Sequence, residues 1–213
     1  MDFIENNIYH VYNQGNNRQR IFFTYDNQVY FLDKIRKHIL PYADILAWCL
    51  MYNHFHLMIY VNRLTPDKKD IVEKEVELNE LREIRNIGYQ HCSKDHTLNY
   101  SIGIMLSSYS QSINKQLKRS GSLFRNNTKS ECVTNCNGIS PSFIGISGGT
   151  IIKNYLIEKE YPKACFDYIH HNPVKSGLVE KPEDWEFSSY RDVYGLRNGS
   201  LINRERIEEY GLK

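Results

Sequence analysis

The chain has 213 residues, 41% of them hydrophobic, with a formal net charge of +2 and a pI near 8.2. That length suits one domain, or one domain carrying insertions, and the apolar fraction is large enough to build a core, which excludes a disordered chain. So small an excess of positive charge does not mark the whole surface for nucleic acid, and any basic surface has to be local.

No apolar run approaches the roughly 18 residues that span a bilayer. The first residues, Met1 to Asn7, lack both the basic and the apolar regions of a signal peptide. The expectation is a cytoplasmic protein without a membrane partner. The five cysteines include one close pair, Cys132 and Cys136. A zinc site wants a second pair of ligands at similar spacing, and none is present, so the cysteines are read as reduced thiols.

In chain order, Ile8-Tyr9-His10-Val11-Tyr12 is a β-type run. A polar stretch rich in Asn, Gln, Gly and Arg follows, from Asn13 to Arg20. Asp26 is the expected N-cap of a helix in which Val29, Leu32, Ile35 and Ile39 recur at helical spacing up to Pro41. Two apolar runs, Ile45 to Leu50 and Phe55 to Val61, flank Met51-Tyr52-Asn53 and read as a hairpin. Residues 64–98 change character: they are dense in Lys and Glu with a thin apolar stripe, the mark of a solvated helical insertion. A second core helix is expected over Ile102 to Lys118, with Met105, Tyr109, Ile113 and Leu117 on its apolar face. It ends at Ser120-Gly121-Ser122. A fourth strand fits within Leu123 to Val133, a Gly-, Ser- and Asn-rich loop over 135–149, and a third helix over Ile151 to His171, stopped by Pro173. The tail carries Trp185, Phe187 and Tyr190 as aromatic anchors.

This order, strand, helix, strand, strand, helix, strand, helix, matches an α+β fold. Its first six elements form a ferredoxin-like split βαβ antiparallel sheet with helices on one face, and a C-terminal helix follows. The whole of 1–213 reads as one domain with the charged insertion and the loop as additions.

Two clusters have chemical potential. His54-Phe55-His56 opens the third strand. Alternate strand residues face the same way about 6–7 Å apart, so two imidazoles there can chelate one divalent ion; two ordinary strand histidines have the same spacing. In Tyr168-Ile169-His170-His171-Asn172-Pro173-Val174, Tyr168 and Asn172 share a helix face. Asn172 can offer a hard oxygen to a cation and Tyr168 can be a covalent nucleophile. Equally, the tyrosine can pack and the asparagine can cap the helix before Pro173.

Together the clusters resemble the HUH motif and nucleophile helix of single-tyrosine transposases, and most closely the REP-associated tyrosine transposases. Ile8-Tyr9-His10-Val11 with Asn16-Asn17-Arg18-Gln19 is similar to the opening strand and loop of that family, and Asn53 to Ile59 to its HUH strand. Arg119-Ser120-Gly121-Ser122-Leu123-Phe124 is similar to the segment after its central helix. Tyr168 to Val179, followed by Pro182-Glu183-Asp184-Trp185 and Ser188-Ser189-Tyr190, is the most specific match. Only 64–98 and 131–150 fall outside the resemblance.

The resemblance implies a transposase-like endonuclease and strand transferase acting on single-stranded or hairpin DNA. His54, His56 and Asn172 would be ligands of Mg²⁺ or Mn²⁺, and Tyr168 the nucleophile that leaves a 5′-phosphotyrosine and a free 3′-hydroxyl. Tyr109 is the rival nucleophile, but its i+4 residue is Ile113, which cannot bind a metal. His170 and His171 have no assigned role. Related transposases are dimers, and two-fold dimers are the commonest oligomers, so a homodimer is expected. DNA-phosphate contacts are expected from Arg18, Arg20, Lys115, Lys118, Arg119, Arg125 and Lys129, although each could equally be solvated surface. No Gly-rich nucleotide loop is present, consistent with chemistry that needs no ATP. Two other functions use the same features: a nucleic-acid-binding module without catalysis, and a metal-dependent hydrolase that forms no covalent intermediate.

Overall fold

The computed structural model describes residues 1–65, 97–135 and 158–213. In chain order its main elements are β1 (Ile8–Gln14), α1 (Tyr25–His38), β2 (Ala43–Met51), β3 (His54–Val61), α2 (Leu98–Gln116), β4 (Lys129–Cys132), α3 (Tyr161–Lys175), α4 (Tyr190–Val193) and α5 (Arg204–Glu209). The four strands form one antiparallel sheet in the order β2-β3-β1-β4, the ferredoxin-like arrangement expected from the sequence. β3 and β1 are its central strands, paired from Ile8 with Tyr60 to Gln14 with His54.

One face of the sheet is covered by α1 and α2. Phe31 of α1 and Tyr109 of α2 meet edge-on with ring centres 4.9 Å apart, and Phe31 also packs on Phe55 of β3. Phe22 and Phe124 complete this aromatic core. The strand alternation that sends Phe55 and Leu57 to this face sends His54, His56 and Met58 to the other. There α3 lies across β2 and β3. The helices therefore divide between the two faces, which is why every residue of β3 after His54 is buried.

Several local boundaries differ from the sequence reading. The N-cap of α1 is Thr24, not Asp26: its side chain accepts from the Asn27 amide, and Asn27 bonds back to Thr24 in a capping box. The buried face of α1 is Asn27, Gln28, Phe31 and Ile35, while Val29 is 38% exposed; the stripe is rotated because two buried amides belong to it. One of them, Gln28, donates to the Leu50 carbonyl of β2. The second core helix starts earlier, at Leu98 behind a Thr97 cap, and Leu117 is exposed. The fourth strand is confined to Lys129–Cys132.

Pro173 does not stop α3, which continues to Lys175. Proline removes one N–H and crowds the preceding turn, but only two helical residues follow it. The chain then closes the end with Ser176 N–H donating to the Asn172 carbonyl and Leu178 N–H to the Pro173 carbonyl. Asn172 is thus a helical residue, not a cap.

The tail is a structural strap. Trp185 donates its indole N–H to the Leu50 carbonyl, and Ser189 bonds both the amide and the carbonyl of Trp48. A buried Asp192 carboxylate receives two bonds from the Arg197 guanidinium. α5 follows a bridge between Ile202 and Ile45. The charged insertion and the Gly-rich loop lie almost entirely outside the described residues. Among the described residues no helix is long and apolar enough to cross a membrane.

Candidate functional site

His54 and His56 project from a central strand onto the sheet face that α3 crosses. Their rings stand perpendicular, with centres 5.0 Å apart. From α3, Asn172 reaches down between them. Its Oδ1 lies 3.2 Å from His54 Nε2, and its Nδ2 donates to His56 Nε2 at 3.2 Å. One helical turn earlier, Tyr168 sets its ring edge-on against His56 at 5.4 Å and against His10 at 5.9 Å. The i, i+4 spacing puts Tyr168 and Asn172 on one helix face, and the packing of α3 on β3 turns that face to the histidine pair.

The outer nitrogens of both rings are held. His54 Nδ1 donates to Asn53 Oδ1 at 2.6 Å, and Asn53 in turn donates from Nδ2 to the Arg18 carbonyl. His56 Nδ1 lies 2.9 Å from His10 Nε2. His10, on β1, stacks on Tyr12, and the Tyr12 hydroxyl donates to Glu131 of β4 at 2.7 Å. Burial lowers the pKa of His54 and drives that of His56 well below the usual imidazole range, with His10 and His54 adding to the latter effect. Burial likewise lowers His10 to about 4, against an opposing pull from Glu131. All three rings are therefore neutral near pH 7, and each of the two strand histidines has one nitrogen lone pair.

The donor set suits a divalent cation. A His54 ring that donates from Nδ1 carries a lone pair at Nε2, and that lone pair faces the Asn172 oxygen. Two acceptors opposed in a buried place repel unless a proton or a cation lies between them. Two neutral imidazoles and an amide oxygen are ligands that Mn²⁺ accepts, and Mg²⁺ more reluctantly because it prefers an all-oxygen set. Among the described residues no trio drawn from His, Cys, Asp and Glu is arranged to hold a metal; the third oxygen or nitrogen beside the two rings is that of the Asn172 amide.

The structure separates the remaining candidates. Tyr109 is fully buried in the aromatic core on the opposite face, and its hydroxyl donates to the Ile21 carbonyl at 2.8 Å. His170 points away from the cleft and bonds the Ser189 hydroxyl at 2.8 Å; burial lowers it to about 3, assisted by His171 and Lys163. His171 is exposed and donates back to the Asp167 carbonyl. Arg18 and Arg20 are exposed on the loop after β1. That loop is tied to the β2–β3 turn by Gly15 N–H donating to the Asn53 carbonyl and Ile21 N–H to the Tyr52 carbonyl. Arg125 is exposed and its amide donates to the Gln14 carbonyl, which places it at the same end of the sheet as His54. Lys129 pairs with Tyr12 across the β1–β4 ladder, so it lies on the sheet face that carries the site. Lys115 lies in the last turn of α2, and Lys118 and Arg119 follow its end. Sequence reasoning missed His10, Asn53 and Lys175, whose ammonium lies 5.1 Å from the Tyr168 ring centre. His10 and Asn53 stood inside the matched stretches, but only pairing revealed what they touch.

A ferredoxin-like sheet with a histidine pair on its central strand, faced by a tyrosine-bearing helix, defines an α+β protein with a candidate cation site in the cleft between sheet and helix. No family model and no curated protein matches the chain. Among solved structures, that of a REP-associated tyrosine transposase bound to a REP hairpin is similar over 95% of this chain and 92% of its own, with a TM-score of 0.52 and 15% sequence identity. The chain therefore has the fold of that transposase.

Proposed function

We propose that the chain nicks and rejoins single-stranded or hairpin DNA through a tyrosine–phosphate intermediate, using a divalent cation held by His54, His56 and Asn172. The observation that carries this reading is the face formed by Tyr168 and Asn172, seated directly on the histidine pair. The solved structure of similar fold is that of a transposase bound to a REP hairpin, which supports a DNA substrate of that kind.

The Tyr168 hydroxyl attacks phosphorus, its O–P bond forms as the bond to the 3′ oxygen breaks, and the released strand leaves with a 3′-hydroxyl. Burial raises the pKa of Tyr168, while the Asn172 side chain opposes that shift. The phenol is therefore protonated at neutral pH; it gives up its proton to solvent as it attacks, and the departing 3′ oxygen takes one up from solvent. The Lys175 ammonium over the ring stabilises the negative charge gathering on the phenol oxygen. A bound cation would supply charge stabilisation at the phosphate. Because the phosphotyrosine retains the energy of the broken bond, a 3′-hydroxyl can reverse the attack without ATP.

Arg18, Arg20 and Arg125 at the His54 end of the sheet, and Lys129 on the site face, are the basic residues best placed to hold the phosphates on either side of the cleft. Lys115 in the last turn of α2, with Lys118 and Arg119 just past it, would extend that surface. A two-fold homodimer belongs to the same reading, supported by the general prevalence of such dimers; light scattering that shows only monomer at micromolar concentration would remove it.

The deciding experiment incubates the protein with a labelled single-stranded hairpin library and Mg²⁺ or Mn²⁺, then resolves the products on a denaturing gel. A protein–DNA adduct dependent on the ion supports the proposal. Cleavage without an adduct identifies a metal-dependent hydrolase, and binding without cleavage a recognition module.

A further inference from the structure

The two nitrogens of each candidate ligand ring have different tasks. Nε2 of His54 and Nε2 of His56 both face the Asn172 amide. A neutral imidazole carries one N–H, and only the nitrogen without it can bind a cation, so the site requires both rings to hold their protons on Nδ1. That form is not left to chance at either ring. Asn53 Oδ1 and Asn172 Oδ1 both only accept, at 2.6 Å from His54 Nδ1 and 3.2 Å from His54 Nε2, so the single N–H of the neutral ring goes to the shorter contact, with Asn53. Asn53 is itself fixed through Nδ2 to the carbonyl of Arg18, in a loop where Asn17 and Arg18 both take positive φ. At the other ring, the Asn172 amide donates to His56 Nε2, which excludes a proton there. His56 Nδ1 is then the donor in its 2.9 Å contact with His10 Nε2.

We propose that Asn53 and His10 are positioning residues: they hold His54 and His56 as Nδ1–H tautomers and thereby aim both Nε2 lone pairs into the cleft. Partners of this kind, on the outer nitrogen of a ligating histidine, fix ring orientation and raise ligand basicity. They are usually carboxylates or backbone carbonyls; here a neutral amide and a second imidazole take that place, which keeps the cleft free of added negative charge where a phosphate would approach. His10 comes from β1 and Asn53 from the β2–β3 turn, so each ring is locked by a different part of the sheet. The inference rests on the cation-site reading above for its purpose; in the protein without metal it requires the 2.6 Å bond from His54 Nδ1 to Asn53 to outweigh the bond that Nε2 would otherwise donate to Asn172 Oδ1.

The test has two parts, so that the two ideas fail separately. In metal-free protein, ¹⁵N–¹H long-range correlation spectra of the histidine rings report the tautomer directly. The expected result is Nδ1–H for both His54 and His56 in the wild type. Asn53→Leu should release His54 alone and His10→Leu should release His56 alone, while Asn53→Asp and His10→Gln, which keep an acceptor, should retain the wild-type form. A wild-type ring protonated at Nε2, or Leu variants whose tautomers do not change, would overturn the proposal, and a purely structural role would lower stability without moving these signals. In the second part, Mn²⁺ titration followed by calorimetry should show each Leu variant about 10–100-fold weaker, with affinity recovered in Asn53→Asp and His10→Gln. Spectra as expected in a wild type that binds no Mn²⁺ would leave the positioning roles standing and defeat the metal site.

Discussion

The Asn172 side chain stands 3.2 Å from Nε2 of His54 through its oxygen and 3.2 Å from Nε2 of His56 through its nitrogen. One amide thus bridges two strand histidines from a helix on the other side of the cleft. Asn172→Ala should therefore abolish high-affinity Mn²⁺ binding rather than trim it. The expected loss exceeds the roughly 10–100-fold typical of an outer partner. Calorimetric titration beside His54→Ala checks this; an Asn172→Ala protein that binds Mn²⁺ as tightly as the wild type would return Asn172 to a packing role.

Tyr168→Phe should eliminate the covalent adduct and leave hairpin binding almost intact. Phenylalanine keeps the ring packed on His56 and His10 and removes the oxygen that attacks phosphorus. Loss of one phenol hydroxyl costs about 0.5–1.5 kcal/mol of stability, too little to unfold the chain. A denaturing gel and a mobility-shift assay on the same hairpin read the two effects, and persistence of the adduct would refute the assignment.

Tyr109→Phe should do the reverse. The Tyr109 hydroxyl donates to the Ile21 carbonyl in the core, so its removal leaves a buried acceptor unsatisfied at a cost of about 1–3 kcal/mol. Adduct formation by the folded fraction should be unchanged. Urea unfolding monitored by fluorescence measures the first effect, and the same gel the second.

Acid should destabilise the chain through its buried histidines. Burial lowers His10 to about 4 and His170 to about 3, whereas an unfolded histidine titrates near 6.5. As pH falls through about 6.5 the unfolded chain takes up protons that the folded chain refuses, so stability is full above that point and declines down to the folded values. His54 and His56, also lowered by burial, act in the same direction. Each unit of separation is worth about 1.4 kcal/mol. Urea midpoints should fall between pH 7 and pH 5, less steeply in His170→Gln. A midpoint that rises on acidification would contradict the neutral, buried state of these rings.

Arg18→Ala, Arg20→Ala and Arg125→Ala should each weaken hairpin binding about equally across sequences. Each should also reduce the slope of log affinity against log salt by about 0.7, the value per phosphate contact for a single strand. Anisotropy titrations from low to high salt provide the measurement, and slopes that do not change would move the DNA path elsewhere on the surface.

By itself the sequence determined the order of elements and the residue types of the site. Period-two alternation marked His54 and His56 as neighbours on one strand face, and the four-residue step marked Tyr168 and Asn172 as neighbours on one helix face, because both relations are short-range and depend only on backbone geometry. Short-range signals also misled: Asp26 offered a good cap that Thr24 took, and Pro173 carried a stop signal that was irrelevant so near the helix end. Long-range placement was decided only by the tertiary structure. Whether the histidine face meets α3 or the α1 and α2 pair depends on which side of the sheet each helix crosses. Whether Tyr168 or Tyr109 reaches the cleft follows from that choice. The pairing of His10 with His56 joins residues 46 positions apart, and the contact of Asn172 with His54 spans 118. Such contacts arise from strand register and helix packing over a shared core, and neither is encoded in any local window of the chain.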